Sequence, residues 1–400
     1  MISVYIYLEN SHGHYPALAI TGYRIFRQLG CRTYFIVPFP SLATFLDRRL
    51  AELGLEPAPI KMLFPDSANV LTQRYFWSKV TYWRALKKVL DTEKIPKENQ
   101  RVFFPSLEEI LWTATLTWLH SIIQNSFPFS WAGIYITPIN ESSTGLLNSI
   151  KNYIFPSITN RNKFLSTNPH CKIIYMLHKK QLQLFPILIN SKKLKFFPSV
   201  YETILPTSPV ELIEKIQERA RGRTIVSLVG WMDNRKGISE FKQLAIKCAK
   251  EPYFFVVYGN RGGLDPDSIA FLNQGEAGAI ENVFVSRSAN MEAIINSIIK
   301  ISSIIYCVYH QSLLPSGIAS KAYQFEKAIL LSSGLLEAED VQKYRIGTVV
   351  KSFKIDDIHA GLNDITNNIL PYLSSSQFKE LQLLNSMEKA QELLKDFLEL

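Results

Sequence analysis

The stretch from residue 312 to residue 350, SLLPSGIASKAYQFEKAILLSSGLLEAEDVQKYRIGTVV, decides how the chain is read. It opens on a turn ending in Pro315-Ser316-Gly317, continues as a helix-like run over residues 318–325, and then gives the apolar strand run Ala328-Ile329-Leu330-Leu331. A Ser-Gly turn at a helix start is the setting of an anion site. The first N–H groups of a helix lack intrahelical partners, and the helix dipole adds positive potential there. The same arrangement is equally that of an ordinary βα turn in an α/β domain.

A second stretch favours the anion site. Residues 224–237, TIVSLVGWMDNRKG, read as a strand followed by a turn with two adjacent cations. A helical pattern over residues 238–250 follows, with Phe241, Leu244, Ala245 and Cys248 at i, i+3, i+4 and i+7. A lysine on such a turn is a common point-charge clamp for phosphate.

Together the two stretches resemble the C-terminal domain of GT-B glycosyltransferases of the family 4 type. The resemblance covers residues 224–350 well and the N-terminal half loosely. It implies an α/β fold of two Rossmann-like, doubly wound domains facing a cleft, with a C-terminal helix crossing back onto the first. It implies that Gly230, Arg235 and Lys236 grip the donor diphosphate, and that His310, Ser316, Gly317, Ile318 and Lys321 lie along the rest of a sugar nucleotide. The donor, a UDP- or GDP-sugar, is then a substrate, and neither another cofactor nor a metal is expected.

Three positions depart from the family pattern. Trp231 stands where the family has an arginine, so Arg235 would have to supply that charge. The family's two glutamates fall at Leu314 and Lys321, neither of them acidic. A lysine cannot accept hydrogen bonds from ribose hydroxyls, which leaves Lys321 as a phosphate contact or as a solvated helix residue.

The sequence before residue 206 alternates strands and helices in the pattern of a doubly wound domain. Strand candidates are residues 2–8, 33–37, 102–105, 133–137 and 173–177; helical periodicity covers 17–29 and 107–124. Ser106 and Glu109 have the spacing of a capping box. After the first strand comes the loop Glu9-Asn10-Ser11-His12-Gly13-His14-Tyr15-Pro16. It is similar to the Gly-Gly-His loop of the lipid-linked peptidoglycan GlcNAc transferases, although only one glycine precedes His14. Loops at the carboxyl end of a first strand face the ligand crevice of open α/β sheets. The resemblance implies His14, with His12 behind it, as a candidate general base for the acceptor hydroxyl, with Gly13 against the donor, and a neutral imidazole suits that role. The plainer reading makes both histidines exposed loop residues, one of them capping the following helix.

Three prolines mark residues 198–209 as a linker, giving domains 1–205 and 206–375 and a terminal helical segment 376–400. In the second half, strands are expected at 224–229, 253–258, 283–285, 304–308, 328–332 and 348–350, and one charged amphipathic helix at 377–400.

Composition narrows the class of protein. Four hundred residues, 47% hydrophobic and 20% charged, suit two globular domains rather than a disordered chain. The net charge of +9 fits an anionic partner. Nucleotide-sugar phosphate qualifies, while no nucleic-acid-binding motif occurs. Cys31, Cys171, Cys248 and Cys307 are scattered with no CxxC pair, which fits a reducing, cytoplasmic setting. The first residues read as a strand without a basic leader, and the apolar run 294–308 is broken by Asn296 and Lys300. Residues 74–88, RYFWSKVTYWRALKK, mix aromatic and basic side chains. They suit either a helix lying on an anionic membrane surface at its inner face or a packed helix with basic residues on its outer side.

The expected activity is sugar transfer from a nucleotide sugar to a saccharide, lipid-linked or small-molecule acceptor in polysaccharide biosynthesis. Retention and inversion both stay open. The rival reading is a non-catalytic glycosyltransferase-like subunit that binds a sugar nucleotide or a partner enzyme, and the missing acidic pair is its main support.

Overall fold

The computed structural model describes residues 1–9, 15–65, 76–107, 127–135, 158–178, 191–200, 203, 205–206, 210–260, 264–273, 280–286, 292–310 and 315–399, with the backbone alone for 76–80 and 158–162. The chain divides into two compact units, residues 1–200 with 386–400, and residues 201–385.

The first strand, β1 (Ser3–Tyr7), shows how the first unit is built. All five residues are buried, with Val4 and Ile6 in one apolar layer and Tyr5 and Tyr7 in another. A strand buried on both faces belongs inside a parallel sheet covered by helices. The elements that follow are α1 (Tyr15–Gln28), β2 (Arg32–Val37), α2 (Pro40–Glu52), β3 (Ile60–Met62), α3 (Phe76–Asp91), β4 (Gln100–Phe104), β5 (Ser130–Tyr135), α4 (Ile158–Thr167), β6 (Cys171–Met176) and β7 (Leu194–Phe196). The sheet is parallel throughout, in the order β3-β2-β1-β4-β5-β6-β7.

The second unit repeats the plan. It contains α5 (Glu211–Ala220), β8 (Thr224–Val229), α6 (Ile238–Lys247), β9 (Tyr253–Tyr258), α7 (Pro266–Leu272), β10 (Val283–Ser286), α8 (Glu292–Ile301), β11 (Ile304–Cys307), α9 (Gly317–Gln324), β12 (Ala328–Ser332), α10 (Ala338–Tyr344), β13 (Gly347–Val350), α11 (Ile355–Asp364) and α12 (Ser375–Leu384). Its six strands are parallel in the order β10-β9-β8-β11-β12-β13. Counted within each unit, the first six strands of both run 3-2-1-4-5-6, the doubly wound Rossmann order. The fold class expected from the sequence is therefore the one observed.

Two local expectations differ. The single helix at 377–400 is instead two, because Asn385 and Ser386 interrupt it: Asn385 caps α12, and the Ser386 hydroxyl accepts the Lys389 N–H to start α13 (Met387–Glu399). Phe378 and Leu381 of α12 enter the core of the second unit. Ala390, Leu394 and Phe397 of α13 enter the core of the first, where Phe397 meets Phe26 edge-on and the Tyr175 hydroxyl donates to the Leu393 carbonyl. The short edge strands β3 and β7 carry no sequence signal of their own.

The helix α3 buries Tyr82, Trp83, Leu86 and Leu90 against the sheet while Arg84 and Lys88 face outward. Among residues 81–91 the apolar side is thus occupied by the core. No helix among the described residues is long and apolar enough to cross a membrane. The helix expected at 107–124, Glu109 included, lies outside the described residues beyond Leu107.

Candidate functional site

In the second unit β8 lies between β9 and β11, where the strand order reverses. In open α/β sheets ligands bind at the carboxyl ends of the strands at this switch point. The candidate residues of the second unit fall on the two segments that leave β8 and β11 there.

The β8 segment turns at Gly230, whose φ of +100° suits glycine. A Cβ on Gly230 would lie 3.5 Å from Ile318 Cδ1 and 4.0 Å from Lys236 Nζ. Gly230, Lys236 and Ile318, from both segments, therefore meet at one place. Asp233 then caps a short 3-10 turn, Asn234–Lys236, by accepting the Arg235 N–H at 3.0 Å. The same carboxylate holds the Arg235 guanidinium at 2.6 Å, so this exposed cation is already partly neutralised. Gly237 closes the turn at φ +63°, and a Cβ there would sit 2.3 Å from the Val308 carbonyl oxygen. The His310 N–H donates to the Arg235 carbonyl at 2.7 Å and ties the two segments together.

Lys236 is half-buried as a residue, but protein encloses its ammonium. Nζ donates to the Tyr309 hydroxyl at 2.9 Å and lies 4.3 Å from the centre of that ring. Its pKa is lowered to about 8, chiefly by burial and slightly by Arg235, against the Cys307 thiol and Asp233, which act the other way. Tyr309 is itself buried, and its phenol is kept neutral by desolvation. It also interacts with the Cys307 and Ser316 side chains.

On the β11 side, Ser316 caps α9: its hydroxyl accepts the Ala319 N–H at 3.2 Å. Gly317 and Ile318 begin the helix, so their N–H groups belong to the first turn, which has no intrahelical acceptors. The Ser316 N–H donates to the buried Glu337 carboxylate, an acidic neighbour that an anion would share at this helix start.

Two candidates are held differently from their sequence reading. Lys321 is 2% exposed, and its ammonium is bonded to Glu292 and, at 2.7 Å, to Asn296, both on α8. It is therefore neither solvated nor turned to the cluster around Gly230. His310 donates or accepts at Glu240 (2.9 Å) and stacks on Phe353 with ring centroids 4.0 Å apart. Trp231 is 47% exposed beside Gly230. His12, Gly13 and His14 lie outside the described residues, as does Leu314.

The residues that the sequence did not point to are Tyr309, Glu240, Glu337 and Phe353. Only Tyr309 had a usable signal, its place just beyond the apolar run 304–308. Elsewhere in the unit, His359 and Glu251 are paired at 2.9 Å beside the buried Cys248 thiol. The imidazole Nε2 is engaged by the carboxylate there.

No known protein family matches the sequence, and no curated protein does. Solved structures do match. Anabaena HepE in complex with UDP and glucose superposes with a TM-score of 0.67 at 11% identity, covering 100% of both chains. The α,α-trehalose-phosphate synthase (UDP-forming) from Burkholderia vietnamiensis gives 0.66 at 12% identity, over 100% of this chain and 98% of that one. A glycosyltransferase from Rickettsia africae gives 0.63 at 12% identity, over 100% and 98%. At such identity the likeness establishes the fold, which is that of GT-B glycosyltransferases: two parallel-sheet, Rossmann-like domains.

The cluster brings one ammonium, a helix start and a close backbone approach to a single point. That is chemistry suited to a diphosphate.

Proposed function

We propose that this chain is a glycosyltransferase that moves a sugar from a nucleotide-sugar donor, a UDP- or GDP-sugar, to a saccharide or lipid-linked acceptor. The observation that carries this reading is the meeting of Gly230, Lys236 and Ile318 at the switch point of the second unit. A diphosphate placed there would contact the Lys236 ammonium and the first-turn N–H groups of α9. These groups are fixed before the reaction and would stabilise the charge that develops on the leaving diphosphate, with no metal required by the proposal. Two structural neighbours support the donor class: HepE was solved with UDP and glucose, and the Burkholderia synthase is UDP-forming.

The family 4 resemblance of residues 224–350 belongs to this proposal, as does a cytoplasmic setting with contact at an anionic membrane surface. So does the role of the N-terminal loop, in which His14 acts as base or positions the acceptor, with His12 behind it. His14→Ala should lower turnover by about two to four orders of magnitude, the usual worth of general acid–base catalysis, with little change in donor affinity. Normal turnover in that variant would remove the assignment.

A second reading, a sugar-nucleotide-binding subunit without catalysis, is favoured by Lys321, a buried, ion-paired residue where the resemblance implies an acid. A thermal-shift screen of UDP-, GDP-, ADP- and dTDP-sugars tests both readings. A ligand at 100 times its dissociation constant adds ~2.7 kcal/mol to apparent stability. Stabilisation with sugar transfer supports the enzyme, stabilisation without transfer to any acceptor supports the subunit, and no stabilisation removes both.

A further inference from the structure

Tyr309 has no part in the reading of the sequence, yet it touches both halves of the proposed cradle. Its hydroxyl accepts from Lys236 Nζ at 2.9 Å, on the segment after β8. Its phenol also interacts with the side chain of Ser316, the cap of α9, and with Cys307 at the end of β11. Its own backbone is pinned: the carbonyl accepts from the Ser332 hydroxyl at 2.7 Å, and the N–H donates to the Cys307 carbonyl at 2.9 Å. A lysine side chain has four rotatable carbons, and an ammonium left loose would lose much of its value as a point charge.

Resting on the diphosphate reading of this site, we propose that Tyr309 is a positioning residue that holds the Lys236 ammonium in the donor cradle. The phenol stays neutral and in place; only the ammonium touches the ligand. Nζ lies 4.3 Å from the ring centre as well as beside the oxygen, so the ring stays beside the ammonium even where the oxygen is removed.

This arrangement has a pH signature. The groups facing Lys236 are Asp233 and Arg235 on its own turn, and Cys307 and Tyr309 on and after β11. Burial outweighs the acidic partners, so the ammonium deprotonates at about pH 8 in the free protein. Anion affinity should therefore be full below that pH and fall as pH rises through it. The Tyr309 oxygen accepts from the charged form and favours it, so deleting that oxygen should move the fall to lower pH.

The test titrates UDP, and inorganic pyrophosphate as a base-independent probe, into wild type, Tyr309→Phe, Lys236→Ala and the double variant from pH 6.5 to 9.5. Tyr309→Phe keeps the ring and its packing, and its melting curve serves as the control for folding. The inference expects Tyr309→Phe to weaken binding about five- to tenfold at pH 7.5, the size of an ordinary lost hydrogen bond, because the ammonium itself is kept. It expects the fall in affinity to occur at lower pH in that variant. It also expects no further effect of Tyr309→Phe once Lys236 is alanine, the behaviour of two residues acting as one unit. A folded Tyr309→Phe protein with wild-type affinity and an unmoved pH profile overturns the inference while leaving the site reading intact. Wild-type affinity in Lys236→Ala, or no binding of either probe by wild type, overturns the site reading itself.

Discussion

A single side chain, Lys321, separates two ways of carrying a family pattern onto a new sequence. The resemblance sets it where the family has a ribose-binding acid, and from the sequence it suited phosphate or solvent. Its ammonium is instead buried against Glu292 and Asn296. Removing one member of a buried pair leaves the other unsatisfied, which costs more than the pair contributes. Because Glu292 keeps some exposure, we expect Lys321→Ala to lower stability by about 1–3 kcal/mol, read by chemical denaturation. Nucleotide affinity should be unchanged in the protein that remains folded. A stable variant with weakened nucleotide binding would place Lys321 back in the site. Arg235 invites the same caution. Its charge is matched by Asp233, two residues earlier, a partnership that a turn geometry creates and a linear motif does not reveal.

At the scale of elements, legibility follows burial. The strands β8, β9 and β12 are fully or almost fully buried, and their apolar runs end where the strands end. The edge strands β3 and β7 have one neighbour each, are only three residues long and stay partly exposed, so no apolar run marks them. The break between α12 and α13 was legible only as the polar pair Asn385-Ser386, which reads as readily as a solvated helix surface. The turn joining β8 to α6 depends on Gly237, where a side chain would meet both a left-handed backbone and the Val308 carbonyl. Gly237→Ala should therefore destabilise the protein by about 1–3 kcal/mol, with weaker nucleotide binding as the turn carrying Lys236 shifts. Unchanged stability and affinity together would show that the turn tolerates the added carbon. In the first unit α13 buries Ala390, Leu394 and Phe397, with Met387, Leu393 and Leu398 packed beside them. Phe397→Ala should cost about 3 kcal/mol, the lower end for a buried aromatic because a terminal helix frays. Denaturant unfolding of that variant with no loss of stability would mean that α13 contributes little to the first unit.

For the whole molecule, the alternation of strands and helices in both halves was readable from periodicity, since a strand buried on both faces shows as an unbroken apolar run, whereas the shared strand order shows only in the folded sheets. The residues of the proposed donor site were half readable. Gly230, Lys236, Ser316, Gly317 and Ile318 stand on turns whose composition announces them. The groups beneath them, Tyr309 and Glu337, come from positions that only the folded sheet brings close. Sugar, base and acceptor have no counterpart in any local pattern, because a diphosphate cradle is indifferent to what hangs on either end of it. The central claim is that this cradle, in the second unit, holds the donor diphosphate. A crystal structure of the complex with the nucleotide sugar that gives the largest thermal shift tests it most directly. The account predicts phosphate oxygens about 3 Å from Lys236 Nζ and from the first N–H groups of α9. A nucleotide bound with its phosphates away from Lys236 and α9 would contradict it.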